Sequence, residues 1–425
     1  METIVLIALI FILLAMGVNI GVSLALPMLI SILIEPSLSA GYIVSSLYTQ
    51  TANFTMIAMP FFIVAGSVME AGGLSKRLVA VANSLVGRVT GSLGLVTILA
   101  CFFFGAVSGS STATVAAIGS IMLPEMVKAG YNKYYSIALV AAAGGLGIIV
   151  PPSFPMVVYG SVMNASIGTL FIGGIGPAIV IAAILIVANY IYCKKNKIRG
   201  TESFSWKKVW VAFKDGWPAL LMPVIILGGI YGGIFTATEA AVVSVVYGVL
   251  IGAFYYRELK FKPMYGMFRS NSIFIAAAML TMAPAGALGR MFSVLGVTKA
   301  INAFFLGVTS NPYIAMTLIF GILFIAGMFV QTTPMIVIFG PILFAVASQY
   351  GIDVFHFGLV MIIALAIAFV TPPVASNLFV VSSMTGVPVN KYMKQLIPFV
   401  LLLILGLFVV GFTPEITHLF INLFG

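Results

Sequence analysis

The sequence predicts an all-α polytopic membrane protein made of two related halves, each with a re-entrant helical hairpin and a helix broken by proline. Of its 425 residues 62% are hydrophobic and only 7% are charged, and the mean hydropathy is +1.20. At about 20 residues per spanning helix, this length has room for roughly ten to fourteen hydrophobic segments. A proline pair also recurs 221 positions apart, as Pro151-Pro152 and as Pro372-Pro373. Composition therefore places the helices in a bilayer, and the recurrence indicates a duplication.

Further residues match at the same separation. They are Gly130 with Gly351, Ser161 with Ser382, Met163 with Met384 and Pro177 with Pro398. We therefore expect five parts: N-terminal scaffold helices in residues 1–50, a first repeat (scaffold helix, hairpin, broken helix) in 51–193, a connector in 194–216, further scaffold helices in 217–269, and a second repeat (hairpin, broken helix, C-terminal helix) in 270–425.

The formal charge of +10 is concentrated in short loops and does not indicate a nucleic-acid partner. Lys194, Lys195 and Lys197 follow one apolar run, and Arg257 and Lys260 follow another. Basic loops between spans mark the cytoplasmic face of a membrane protein. The connector also has tryptophans among its lysines, which favours an amphipathic helix lying in the cytoplasmic interface.

Two apolar stretches break in the middle at small or polar residues. The first, residues 94–124, breaks at 105–112, and the second, residues 318–341, breaks at 327–334. The two breaks match at a separation of 222. Each arm of roughly a dozen residues is too short to cross a bilayer at 1.5 Å per residue. We therefore expect two re-entrant hairpins with small, polar tips.

The proline pairs lie in the segment that follows each hairpin, residues 138–171 in the first half and 359–387 in the second. Proline removes a backbone donor and clashes with the preceding turn, so two in succession unwind a helix locally. Unwound backbone at membrane depth is tolerated only where it is buried in protein or lines a wet cavity. Pro-interrupted segments in matching halves are typical of transport sites near the bilayer midplane.

The four breaks lack charged residues. Residues 89–124, 134–193, 300–352 and 354–390 contain no Asp, Glu, Lys or Arg, so no carboxylate is available there for proton coupling. Neutral oxygens and the negative ends of half-helices are typical of sodium sites, and the positive ends suit an anion. We therefore expect one sodium ion per half and an anionic solute between the hairpin tips. The side chains on offer are Ser108, Ser110, Ser111, Thr112, Ser153, Gln331, Thr332, Thr333, Thr371, Ser376 and Asn377.

Some of these polar residues have a structural alternative. Small residues and Ser or Thr are also used to pack membrane helices closely. Thr236 and Glu239, before an apolar run, predict a capping box with a structural role. Arg290 stands in an apolar run, where it either meets a carboxylate of the solute or snorkels to a helix end.

Four stretches of sequence carry a resemblance to one family. They are residues 105–119 (GAVSGSSTATVAAIG), 149–153 (IVPPS), 232–240 (GGIFTATEA) and 371–373 (TPP). Together, and over nearly the whole chain, they resemble the large membrane subunit (M subunit) of tripartite ATP-independent periplasmic (TRAP) transporters. The resemblance implies an inverted-repeat, sodium-driven transporter of the elevator type in the bacterial inner membrane, in which a substrate-carrying domain slides against a fixed scaffold.

The resemblance also implies roles for the residues at the breaks. The solute would contact Gln331, which departs from the acidic residue that many members carry near this point. The remaining implied ligands are Ser108, Ser110, Gly147, Pro151 and Ser153 for the first sodium ion, Thr332, Thr333, Thr371 and Ser376 for the second, and Ser108, Ser111, Pro152, Ser153, Asn377 and Arg290 for the solute.

Two partners on separate chains are implied as well: a small four-helix membrane subunit and a periplasmic binding protein that delivers the solute. Members of the family move organic acid anions, and the hairpin and proline sequences are most similar to the sialic-acid members. One alternative of the same general architecture is a stand-alone sodium/dicarboxylate symporter. A channel would have charge rings or carbonyl filter repeats, and an enzyme would have a nucleophile with its base or a metal-ligand cluster. The apolar runs offer neither set, so we do not expect an enzyme.

Overall fold

The protein is helical throughout the part that the structure describes. The computed structural model describes residues 2–34, 39–52, 54–86, 89–198, 200 and 205–424 and contains no strand in these ranges. The helices before the connector are α1 Glu2–Ala15, α2 Ile20–Ile34, α3 Ala40–Thr51, α4 Ala58–Ala71, α5 Leu74–Val86, α6 Ser92–Ser108, α7 Ser111–Lys128, α8 Lys133–Ala143, α9 Leu146–Ile149, α10 Phe154–Met163 and α11 Ile167–Lys195.

The remaining helices begin within the connector. They are α12 Trp206–Tyr231, α13 Ala237–Leu250, α14 Phe261–Val294, α15 Val297–Val308, α16 Pro312–Gly327, α17 Thr332–Ala347, α18 Val354–Ala368, α19 Ser376–Thr385, α20 Val389–Gly411 and α21 Glu415–Phe424. A π-helical turn, Ile251–Tyr255, extends α13. Within the described residues, six helices are long and apolar enough to cross a membrane, or up to eight if each bent pair counts as one span.

The two halves repeat the same order of parts, as predicted. In the first half, α4 and α5 lead into a hairpin of α6 and α7, a broken helix of α8 to α10, and the long α11. In the second half, α14 and α15 lead into a hairpin of α16 and α17, a broken helix of α18 and α19, and the long α20. The helices of each hairpin pack against each other.

The first hairpin turns in two residues because each one suits its position. Gly109, with φ +58°, takes the left-handed conformation that ends α6, which glycine adopts without steric cost. Ser110 then caps α7, its Oγ accepting a 3.4 Å hydrogen bond from the Ala113 amide. The second hairpin needs four linking residues, 328–331, and its arms are longer than predicted. Asn311 caps α16, accepting a 2.9 Å bond from the Tyr313 amide, so this hairpin begins earlier than residue 318.

Both proline pairs interrupt a helix, as predicted. Residues 150–153 separate α9 from α10, and 369–375 separate α18 from α19. The peptide bonds Pro151-Pro152 and Pro372-Pro373 are both cis. The first segment ends earlier than the predicted residue 171, because Asn164 takes φ +51° and Ser166 caps a new helix, α11.

A single helix, α12, runs across the predicted boundary between connector and scaffold at residue 216. Its first turns carry exposed Trp206 and Trp210, and residues 199 and 201–204 of the connector lie outside the described part of the chain. Likewise α14 crosses the boundary at 269. The five-part division therefore stays a prediction.

A charged cluster joins the basic end of α5 to the loop after α13. The Arg77 guanidinium pairs with Glu258 and, at 3.4 Å, with Asp215 of α12. It also lies 3.9 Å from the centre of the Tyr256 ring, and Lys76 lies 3.6 Å from Glu258. Burial acts to raise the pKa of Glu258, but hydrogen bonding and charge from Arg77 and Lys76 outweigh it and hold that pKa below its ordinary value.

Candidate functional site

Residues of both hairpin tips and residues at or beside both helix breaks line one cavity of about 300 Å³. Scaffold helices α2 and α14 close it on one side. Among the described residues, none that lines it carries a charged side chain. The lining residues are Asn19, Ile20, Gly109, Ser110, Ser111, Thr112, Ile148, Phe154, Pro155, Phe274, Ala277, Ala278, Thr281, Gln331, Thr332, Thr333, Phe369 and Ser376.

The first tip gathers neutral oxygens around Gly147. The Ser108 hydroxyl lies 3.1 Å from Thr114 Oγ1 and 3.4 Å from the Ser110 carbonyl oxygen, and Thr114 Oγ1 donates to that carbonyl at 2.8 Å. A Cβ at Gly147 would lie 2.4 Å from Thr114 Oγ1 and 2.5 Å from the Ser110 carbonyl oxygen. Only glycine fits at position 147, where the backbone comes this close to Thr114 and Ser110. The donor set consists of oxygens without formal charge, which suits sodium.

Thr114 was not among the predicted ligands. Its sequence signal is its spacing, because Thr114 follows Ser110 by four residues and therefore shares its face of α7. A threonine hydroxyl in a helix commonly bonds the carbonyl four residues earlier. The spacing alone therefore does not separate a ligand from a structural residue.

The first break supports the tip rather than lining the cavity. Ser153 is buried, and its Oγ donates to the Ile148 carbonyl at 2.6 Å. The Phe154 amide donates to the Gly109 carbonyl at 3.3 Å, which joins break and tip. Pro151 and Pro152 are buried too, and neither they nor Ser153 lines the cavity. Phe154 and Pro155 line the cavity at this point, and the solute contacts of Pro152 and Ser153 stay predictions.

The second tip contains a hydroxyl without a partner. Thr332 and Thr333 are each 7% exposed and line the cavity, and Thr332 Oγ1 is buried with no hydrogen-bond partner. The Thr371 hydroxyl donates to the Ile367 carbonyl at 2.9 Å and does not line the cavity. Gln331 and Ser376 line it. Of the four residues predicted for the second ion, the structure brings Thr332, Thr333 and Ser376 to the wall.

Asn377 joins the two halves and does not line the cavity. Its side chain is fully buried, its Oδ1 accepts from the Ser111 hydroxyl at 2.9 Å, and its Nδ2 donates to the Ala141 carbonyl at 3.0 Å. Both ends of the amide are bonded within the protein, and they form a bridge from α19 to α7 and α8. The predicted solute contact of Asn377 stays a prediction. Ser111 keeps its predicted place at the cavity.

Arg290 is exposed and absent from the lining. Thr281 is the last residue of α14 at the cavity, and nine further residues at 1.5 Å each place Arg290 about 14 Å beyond it. The role of Arg290 in holding the solute stays a prediction. The predicted capping box is present: the Glu239 amide donates to Thr236 Oγ1 at 3.3 Å, and the Thr236 amide donates to the Glu239 carboxylate at 2.8 Å.

The scaffold side of the cavity was missed by sequence reasoning. At the start of α2 it is formed by Asn19 and Ile20. On α14 it includes Phe274, Ala278 and Thr281. Most of these residues are apolar and have apolar neighbours along the chain, so local composition does not distinguish them from residues that face lipid.

An uncharged cavity between two hairpin tips and two broken helices, in a duplicated helical membrane fold, defines a membrane transport protein. The match to the family described as "Tripartite ATP-independent periplasmic transporter, DctM component" covers residues 7–416. The chain belongs to this family, as its resemblance to the M subunit implied.

The relatives differ in the solute that their names give. The chain is 40% identical over 408 residues to the isethionate TRAP transporter permease protein DctMQ of Oleidesulfovibrio alaskensis, covering 96% of this chain and 64% of that protein. It is 35% identical over 397 residues to the C4-dicarboxylate TRAP transporter large permease protein DctM of Pseudomonas aeruginosa, covering 93% and 92%. It is 33% identical over 408 residues to the sialic acid TRAP transporter large permease protein SiaM of Vibrio cholerae, covering 96% of each.

The fold is also similar to that of a solved transporter. The crystal structure of the YdaH transporter of Alcanivorax borkumensis matches with a TM-score of 0.63 and 13% identity, over 89% of this chain and 90% of that one. At this identity, the match concerns the fold alone.

Proposed function

We propose that this chain is the transporting subunit of a sodium-driven importer of a small organic anion, with its basic loops on the cytoplasmic side of the bacterial inner membrane. One observation carries the proposal: the hairpin tips of both halves, with residues at or beside both breaks, converge on a cavity that the described residues line without a charged side chain. Neutral oxygens in an apolar enclosure can bind sodium as the driving ion, whereas a proton would need a titratable group.

Two sodium ions would bind, one in each half. The oxygens of Ser108, Ser110 and Thr114 around Gly147 form the first donor set. In the second half, the Thr332 hydroxyl oxygen makes no hydrogen bond and would be a ligand of the second sodium ion. A buried hydroxyl without a hydrogen bond is unfavourable, and an ion would satisfy it.

The anion would be held by helix ends instead of basic side chains. Four helices begin at the cavity wall: α7 at Ser111, α10 at Phe154, α17 at Thr332 and α19 at Ser376. The N-terminus of a helix carries about half a positive charge and free amide donors. Four such ends, together with two bound cations, would compensate an anion in the absence of arginine or lysine.

The solute class follows from that chemistry and from the relatives. Isethionate, C4-dicarboxylates and sialic acid, the solutes in the names of the relatives, are all anions with a sulfonate or carboxylate group. The sequence favoured sialic acid, whereas the relative with 40% identity carries isethionate in its name. We therefore propose a small carboxylate or sulfonate and make the choice among the three an outcome of the test.

Two partner proteins complete the proposal. Val5 and Val22 on α1 and α2, and Val224 and Val246 on α12 and α13, are between 52% and 62% exposed, and these apolar faces are available to a small membrane subunit. A periplasmic binding protein would deliver the solute. Transport would then proceed by sliding of the hairpins and broken helices past the scaffold, in an elevator mechanism.

The test is uptake of labelled isethionate, succinate and sialic acid into proteoliposomes that contain this chain, its membrane partner and the cognate binding protein. Uptake of one of them that requires an inward sodium gradient is the expected result. Uptake that ignores sodium but follows a proton gradient would contradict the coupling. Sodium-driven uptake without the two partners would favour the stand-alone symporter instead.

A further inference from the structure

We propose that Asn271 of α14, held by Ser67 of α4, forms a second polar contact for the solute on the cytoplasmic side of the cavity. This inference rests on the proposed function and adds a residue outside the hairpins and the breaks. The solute would meet the Asn271 amide after it leaves the hairpin tips.

The amide of Asn271 is fixed at one end and free at the other. Ser67 Oγ lies 3.1 Å from Asn271 Oδ1 and 3.2 Å from the Ile63 carbonyl. Asn271 Nδ2 is buried and has no hydrogen-bond partner. Buried amide donors are normally bonded, and an exception calls for an explanation. The bond from Ser67 orients the Asn271 amide, and the unpaired Nδ2 group can donate a hydrogen bond to an anionic oxygen of a ligand.

The pair lies next to the solute cavity. Asn271 precedes the lining residue Phe274 by three positions and the lining residue Ala278 by seven, so it lies on the same side of α14. On α4, a Cβ at Gly66 would lie 3.0 Å from the Ser108 Cα, so the residue before Ser67 touches the first hairpin tip. Asn271 therefore lies about one helical turn from the wall of the cavity, and Ser67 follows directly after the residue that contacts the tip.

The direction from the cavity to Asn271 is toward the cytoplasm. Arg257, Lys260 and Arg269 surround the start of α14, and basic residues mark the cytoplasmic end of a span. Seven residues at 1.5 Å each separate Asn271 from Ala278 by about 10 Å along the helix. An anion that moves from the tips toward the cytoplasm therefore passes the Asn271 amide.

Two substitutions separate a solute contact from a structural role. Asn271→Asp keeps the side-chain shape and the acceptor for Ser67, but it replaces the amide donor with a negative charge. Asn271→Leu removes both donor and acceptor. The matched control is Asn302→Leu, which removes another amide with an unpaired atom, Oδ1, on α15, a helix that does not line the cavity.

The experiment is sodium-driven uptake, with the three labelled anions as probes, at increasing concentrations of loaded binding protein. Asn271→Asp and Asn271→Leu should each lower the maximal rate about tenfold or more, with the half-saturating concentration unchanged. The melting temperature of Asn271→Leu should also be unchanged, because this variant buries no charge and Ser67 keeps the Ile63 carbonyl as its acceptor. Asn302→Leu should transport like the wild type.

Wild-type rates in Asn271→Asp would overturn the inference and leave the proposed function intact. A slow Asn271→Leu variant with a lowered melting temperature would assign a structural role and also overturn it. A wild type without sodium-driven uptake of any probe would count against the proposed function, and the inference would fall with it.

Discussion

Thr332 differs from the hydroxyls of the first hairpin tip because its oxygen is buried without a hydrogen-bond partner. The hydroxyls of Ser108 and Thr114 lie within hydrogen-bond distance of each other and of the Ser110 carbonyl oxygen, and the Ser110 hydroxyl accepts from the Ala113 amide. Their arrangement is therefore explained by packing as well as by an ion. Thr332 Oγ1 is buried but makes no hydrogen bond. Among the described residues of the two tips, this hydroxyl gives the sharpest test of the ion-binding proposal.

Thr332→Val should abolish sodium-driven uptake and leave stability unchanged. Valine has the same shape, and removing a buried hydroxyl that makes no hydrogen bond costs little, within about 0.5 kcal/mol. Loss of an ion ligand should lower uptake tenfold or more, with the sodium concentration for half-maximal uptake raised. Both are measured in proteoliposomes, and stability by thermal melting in detergent.

The control is Thr317→Val on α16, where the hydroxyl donates to the Tyr313 carbonyl at 2.8 Å on an exposed face. That variant should transport at the wild-type rate. If Thr332→Val also does so, the hydroxyl is no ligand.

At the level of helices, we expect the capping box of α13 to act in folding alone. Thr236 and Glu239 bond each other's backbone amides at the N-terminus of this helix. The pair does not line the solute cavity, although it falls within one of the stretches that carry the family resemblance.

Thr236→Ala should destabilise the protein by about 1 kcal/mol and leave the uptake rate of the folded fraction unchanged. The reason is that alanine cannot accept the bond from the Glu239 amide. Thermal melting and uptake of the same preparation measure the two effects. Slower uptake at an unchanged melting temperature would show that the stretch acts in transport.

The cluster around Arg77 should make stability depend on pH. The pKa of Glu258 lies below its ordinary value in the folded protein, so its contribution is complete above the unfolded pKa of about 4.3. That contribution is lost as the pH falls through the lowered pKa. Glu258→Gln should lower stability by less than about 1 kcal/mol at pH 7, because the pair is partly exposed.

The melting temperature of wild type and Glu258→Gln, measured from pH 7 to pH 3, checks this prediction. The two curves should converge at acid pH. Glu125→Gln serves as the control, since its carboxylate pairs with Lys128 at 2.9 Å on an exposed surface. A constant difference between wild type and Glu258→Gln at all pH values would contradict the linkage.

For the whole molecule, the sequence was informative where the backbone is irregular. Repeated prolines and glycines predicted both hairpins and both breaks, because these residues change backbone geometry wherever they stand. It was less informative where uniform helices meet. The bridge from Asn377 to Ser111 and Ala141, and the wall formed by Phe274 and Thr281, depend on which helices become neighbours, and no local pattern encodes that choice.

The elevator proposal predicts that a bridge between scaffold and hairpin stops transport. A Cβ at Gly289 of α14 would lie 3.3 Å from the Val337 carbonyl oxygen of α17. We expect cysteines at these two positions, in a background without Cys101 and Cys193, to abolish uptake when oxidised and to restore it on reduction. Uptake is measured before and after each treatment.

A bridge within the scaffold is the matched control. A Cβ at Gly248 of α13 would lie 3.4 Å from Met69 Cγ of α4, so cysteines at 248 and 69 should transport in both redox states. Full activity of the oxidised 289–337 pair would rule out sliding of α17 past α14.

The duplication is symmetric in backbone but not in side chains. At the separations that align the halves, Ser110 stands opposite Thr332, and Ser153 opposite Val374. Gly147 stands opposite Ala368, whose Cβ would occupy the space left open at the first tip. Two ion sites with unlike ligands would have unlike affinities, so one would fill at a lower external sodium concentration than the other. In a dilute medium most transporters would then hold sodium at the site of higher affinity only. Solute uptake would be limited by binding of the second ion, so its rate would depend on the salt content of the habitat.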